Sequence, residues 1–174
     1  MLSFIKNIYL QKKQMVTPIA LSEYFIKFFN DIGDHISHLK IQKLLYYTDV
    51  WYRVHLKSKL FEEKPQAWVH GPVYPSVYQN YKDYGAINII IDKSMDEIKD
   101  NLIVIFKSKK NREFIKSILE FYAPKSAFAL EMMTHNEEPW QNARKGYGDI
   151  EPCTKEIDMR SAKKYYSALL KNVR

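Results

Sequence analysis

The sequence predicts a mainly α fold of the α+β kind, a compact single-domain helical bundle of about six to seven helices with a small two- or three-stranded sheet. Three observations predict it. Apolar residues recur at three- and four-residue steps behind Ser, Thr or Asp caps along most of the chain, and β-favouring runs are few and short. A length of 174 residues with 46% hydrophobic content suffices for one core and would crowd two. Residues 1–14 stand outside this patterning and read as an N-terminal extension, with residues 15–174 as the domain.

Thr17 offers an N-cap with Pro18 at the first helical position, followed by Leu21, Phe25, Phe28, Phe29 and Ile32 at helical spacing and Gly33 as terminator. Ser37 caps a second helix to about Lys57, and its recurring Ile41, Leu44, Leu45, Thr48, Trp51 and Tyr52 mark it as the central core helix. A β-favouring run at 66–69 leads into a corner at Gly71 and Pro72, where a permissive φ is followed by a ring-fixed one. Pro75 opens a third helix carrying Val77, Tyr78 and Tyr81 and ending near Gly85.

Residues 88–91, with consecutive isoleucines, are the best strand candidate. Ser94 and Glu97 form a capping box, and Met95, Ile98, Leu102 and Ile105 keep helical spacing, although residues 102–106 would also serve as a strand. Asn111 opens a helix to about Tyr122 that Pro124 stops, Ser126 caps the next to about Met133, and Asn136 caps a short one carrying Pro139 and Trp140. Residues 151–157 read as extended, and Asp158 caps a last helix whose Ala162, Tyr165, Tyr166, Leu169 and Leu170 form an apolar face.

No apolar run approaches the roughly 18 residues of a membrane span. The lysine-interrupted N-terminal patch is too short for a secretory signal, and the single cysteine, Cys153, excludes an internal disulfide framework. A cytoplasmic location is expected. The net charge of +7 favours acidic partners, yet only Lys107, Lys109, Lys110 and Arg112 form a tight basic run, read as a solvated loop.

Catalytic chemistry finds little footing. His70 and His135 stand in distinctive surroundings and with Glu137 or Asp83 would make an acid–base or metal site, but no metal-ligand spacing supports them, nor His35 and His38. Cys153 lies among Glu151, Pro152 and Glu156, neighbours that supply neither a base nor a cation to activate a nucleophile. The glycines are scattered, so no phosphate loop or nucleophile elbow exists. The sequence therefore predicts no enzyme, no cofactor and no metal.

Thirteen tyrosines point elsewhere. Tyr46, Tyr47, Tyr52, Tyr74, Tyr78, Tyr81 and Tyr84 each need a hydroxyl partner if buried, so some are expected to face outward as interface anchors. Trp68, His70, Tyr74, Tyr78 and Tyr81 are the candidate partner-binding residues.

The order of signals resembles a known family. Residues 40–47 (KIQKLLYY), 51–52 (WY), 60–62 (LFE), 67–75 (AWVHGPVYP), 81–85 (YKDYG) and 134–140 (THNEEPW) together resemble the Panacea domain, which typifies the Soc-type antitoxins and the phage-associated genetic element protein A group. The positions matching the family pattern are Gln42, Lys43, Leu44, Tyr46, Trp68, Gly71, Pro72, Val73, Tyr84, Gly85, Thr134, His135, Pro139 and Trp140, with Ile41 in place of the usual leucine. The resemblance implies a helical antitoxin of a bacterial or prophage two-gene system that binds a cognate toxin encoded nearby. Operator DNA, contacted through the basic run, and a second copy of the chain stand as further candidate partners. Thr134, His135, Pro139 and Trp140 suit a fold-defining corner better than a contact site.

Overall fold

Side-chain hydroxyls set where most helices begin. The computed structural model describes residues 16–172; the N-terminal extension at 1–14 lies outside them. Helix α1 (Pro18–Asp31) is capped by Thr17, whose Oγ1 accepts from Ala20 N at 3.1 Å, and α2 (His38–His55) by Ser37. After the strands β1 (Gln66–Trp68) and β2 (Gly71–Val73), α3 (Pro75–Tyr81) starts on its proline and runs into a 3-10 turn at Lys82–Tyr84. Helix α4 (Met95–Asn101) carries the full Ser94–Glu97 capping box, followed by the short α5 (Ile103–Phe106). Ser108 caps α6 (Lys109–Tyr122), Ser126 caps α7 (Ala127–His135), and α8 (Glu138–Ala143) and α9 (Met159–Asn172) complete the order.

Helix α2 is the axis of the molecule. Every residue from Lys40 to Val50 is buried, and α1, α6, α7, α9 and β2 all pack against it. A helix enclosed on all sides is ordinarily apolar all round. This one instead takes Lys40, Gln42, Lys43, Thr48 and Asp49 inside, and each such group needs an internal partner. Lys40 Nζ donates to Ala123 O at 2.8 Å and lies over the Phe29 ring, while Thr48 Oγ1 bonds back to Leu44 O.

The sheet is an antiparallel hairpin in the register Gln66–Val73, Ala67–Pro72 and Trp68–Gly71. Its edges are closed. Ala67 N donates to Lys155 O at 2.9 Å and Ile157 N to Pro65 O at 2.8 Å, so the extended 155–157 segment covers β1. On the β2 side Pro72 has no N–H to leave open, and its carbonyl accepts from Lys43 Nζ at 3.2 Å.

Three expectations need correction, and the open choice at 102–106 is decided for helix. Residues 88–91 form no strand: Asn30 of α1 donates to Ile89 O and accepts from Ile91 N, and Asn88 Oδ1 accepts from Ile36 N, so side-chain amides replace a neighbouring strand. The 102–106 segment is helical, with a break at Leu102 (φ −108°, ψ 21°) that divides α4 from α5. Ser108 rather than Asn111 caps α6, so the basic run at 107–112 lies on a helix junction instead of a loop. Asn136 ends α7, and Glu137 precedes α8. Such breaks raise the helix count to nine among the described residues.

Candidate partner-binding face

The polar residues of α2 meet the hairpin and the start of α8 along one line. Gln42 Oε1 accepts from Tyr74 N at 2.8 Å and its Nε2 donates to Tyr74 O at 3.3 Å. Next in sequence, Lys43 is fully buried with its ammonium on Pro72 O. Desolvation pulls its pKa down to about 7, against the opposing pull of the Glu131 carboxylate. Gly71 sits directly above it at φ 93°, where an added Cβ would stand 2.6 Å from Lys43 Cε and 2.7 Å from Thr134 Oγ1. Only glycine combines that φ with that contact. Thr134 Oγ1 in turn donates to Glu131 O at 2.7 Å. Gln42, Lys43, Gly71, Pro72 and Thr134, scattered over 90 residues of sequence, are thus a single buried joint.

A second cluster lies further along α2. Glu137 accepts from Tyr47 OH at 3.2 Å on both oxygens and from Tyr166 OH. Burial lifts its pKa to about 7, held back by those two hydroxyls. Tyr46 is wholly buried and packs edge-on against Tyr47 and Tyr166, its hydroxyl without a hydrogen-bond partner among the described residues. Asp49 pairs with Arg53 (Nε to Oδ1, 2.9 Å) and accepts from Tyr74 OH at 3.0 Å. Desolvation raises its pKa, opposed chiefly by Arg53.

The 134–140 motif closes the far side of the hairpin. Trp140 Nε1 donates to Trp68 O at 3.0 Å, His135 stacks on the Trp140 ring at 4.1 Å, and Pro139 is buried. Burial lowers the pKa of His135, whose Nε2 lies 3.9 Å from Glu131 Oε1. The sequence reading missed Arg144. This buried guanidinium donates to Ala67 O on β1 and to the carbonyls of Gly148, Asp149 and Glu151, fixing the loop before the 155–157 segment. An arginine between a short helix and a loop holding two glycines was the only sequence sign of it.

The five candidate contact residues separate into two groups. Tyr74 and Tyr81 are buried, Tyr81 OH accepting from Ser22 Oγ at 3.2 Å, so neither belongs to the surface as expected. Trp68, His70 and Tyr78 line an open groove of about 940 Å³ between the hairpin, the start of α2, α3 and residues 150–154. The Trp68 and Tyr78 rings lie 4.6 Å apart, and His38 meets Tyr78 edge-on. His70, 73% exposed, brings Nδ1 to 2.8 Å from Glu131 Oε1. Leu39, Val73, Glu131, Ile150 and Cys153 complete the walls, and sequence spacing brings none of them to this place by itself.

Two of the four residues of the basic run have partners close by in sequence. Arg112 Nη1 donates to the carbonyls of Phe106 and Lys107 at the end of α5, and Lys109 pairs with Glu113 at 3.7 Å. Among the described residues no group of three or more His, Cys, Asp or Glu is arranged to hold a metal ion, and no helix is long and apolar enough to cross a membrane.

A family model described as antitoxin SocA-like, Panacea domain, matches residues 41–141, more than half of the chain. The match spans the buried joint, the hairpin and Trp140. No curated protein and no solved structure matches the chain.

Proposed function

The chain belongs to the antitoxin SocA-like, Panacea-domain family, and from that premise we propose that it neutralises a cognate toxin of a bacterial or prophage type II system by direct protein–protein binding in the cytoplasm, without catalysis. The functional unit in this reading is residues 15–174, and the toxin is encoded by an adjacent gene. One observation carries the choice of surface: the motif residues Gln42, Lys43, Gly71 and Thr134 are buried in the fold, while the half-buried aromatic residues beside them, Trp68 and Tyr78, open onto the groove. Aromatic side chains in a concave, largely apolar setting are the usual anchors of protein interfaces. Residues that hold the hairpin against α2 therefore shape the groove without touching the toxin.

Co-expression with the product of the neighbouring reading frame tests the proposal. The reading expects that this product arrests growth, that the chain restores it, and that the two copurify. Arrest that the folded chain leaves untouched would refute it.

A further inference from the structure

The groove differs in charge from the rest of the molecule. The chain carries 27 Lys and Arg residues and a net charge of +7, yet none of the described residues lining the groove is Lys or Arg, and the one carboxylate among them is Glu131. Lys43 and Lys155 lie near the groove but outside its lining. Lys43 is sealed behind Gly71 on the Pro72 carbonyl, and Lys155 holds its ammonium 4.8 Å from the Tyr147 ring centroid. Burial keeps His38 and His135 below the ordinary histidine range and so neutral at pH 7. Asp149 and Glu151 flank Ile150, which stands 89% exposed at the lip.

We propose that the groove receives a lysine- or arginine-bearing apolar segment of the partner protein, the cation seated between Glu131 and the Trp68 and Tyr78 rings and the apolar flank resting on Leu39, Val73 and Ile150. This rests on the reading of the chain as a toxin-binding protein and names the chemistry of the bound segment. A carboxylate beside aromatic faces attracts a cation through charge and through the ring quadrupole together. His70, which is 73% exposed, holds the Glu131 carboxylate and gives way to that cation. A small free cation would leave Ile150 and the apolar wall uncovered, whereas a chain segment covers both. The overall positive charge, which by itself favours acidic partners, then acts as a filter: acidic segments are drawn to the remaining surface and basic ones bind only here.

A phage-displayed random-peptide library selected on the full chain tests the chemistry without the toxin. Enriched peptides are expected to carry Lys or Arg next to aliphatic or aromatic residues and to bind about tenfold or more weakly to Glu131→Gln. Ile150→Lys, at an exposed position where folding is unaffected, is expected to weaken them similarly. Binding of the basic peptides that is indifferent to both substitutions in folded protein, or no enrichment of basic peptides at all, would overturn the proposal. None of those outcomes would touch toxin neutralisation, which the growth assay decides separately.

Discussion

Gln42 and Tyr74 hold each other through both groups of one amide: the side-chain carbonyl accepts the Tyr74 N–H at 2.8 Å and the side-chain amine donates to the Tyr74 carbonyl at 3.3 Å. A glutamine on a buried helix here does what a neighbouring strand would do for the end of β2. Truncation leaves the Tyr74 N–H without its partner in a closed interior, while the Tyr74 carbonyl keeps only the Tyr78 N–H at 3.0 Å. Gln42→Ala is expected to cost about 1–3 kcal/mol of unfolding free energy in urea titration. Gln42→Glu, which keeps the acceptor and loses the donor, is expected to be destabilising as well.

Gly71 is the narrowest point of the same joint. At φ 93° with Lys43 and Thr134 within 3 Å of any added carbon, Gly71→Ala strains the backbone and displaces two side chains at once. The expected loss is about 1–3 kcal/mol from the backbone conformation alone. A melting temperature equal to wild type would contradict the packing described.

The two groups brought near pH 7 from opposite directions give stability a definite pH dependence. Glu137 rises from 4.5 to about 7 on folding, so its contribution is complete below pH 4.5 and is lost as pH climbs through 7. Buried Asp49, also raised, acts in the same sense. Lys43 falls from 10.5 to about 7, so its contribution is complete above pH 10.5 and is lost as pH falls through 7. His38 and His135, both lowered, work against the Glu137 limb just below their ordinary 6.5. Difference curves isolate each part: Glu137→Gln should remove a decline in urea stability between pH 4.5 and 7, and Lys43→Met a rise between 7 and 10.5. Flat difference curves would show that neither group is buried as described.

Tyr74 and Tyr78 are four residues apart and have opposite roles. Tyr74→Ala empties a fully enclosed site and removes one hydrogen bond from buried Asp49, for which about 3–5 kcal/mol of destabilisation is expected. Any loss of neutralisation by that variant should follow its unfolding, and growth at lower temperature should recover part of it. Tyr78→Ala should lose neutralisation while remaining folded.

Local signals survived into the structure wherever a cap and a periodic apolar face agreed. Thr17, Ser37, Ser94 and Ser126 all open helices as expected, and α2 is the central helix its spacing indicated. Errors fell where the deciding partner is distant in sequence. The isoleucines at 89–91 carry a strong β preference, but the Asn30 side chain and the Ile36 carbonyl meet their backbone first. Tyr74 looked like a surface anchor because its partners, Gln42 and Asp49, lie a helix away. The groove was legible only as its aromatic rim, since Glu131 and Ile150 arrive from elements 60 and more residues downstream of His70.

The central claim is that the groove, not the buried motif and not the basic run, meets the toxin. Calorimetric titration of purified toxin into Trp68→Ala/Tyr78→Ala protein, with wild-type circular dichroism as the folding control, tests it most directly. Affinity is expected to fall about tenfold or more, while Lys107→Ala/Lys110→Ala leaves it unchanged. Wild-type affinity in the groove variant, or its loss only in the lysine variant, would contradict the account.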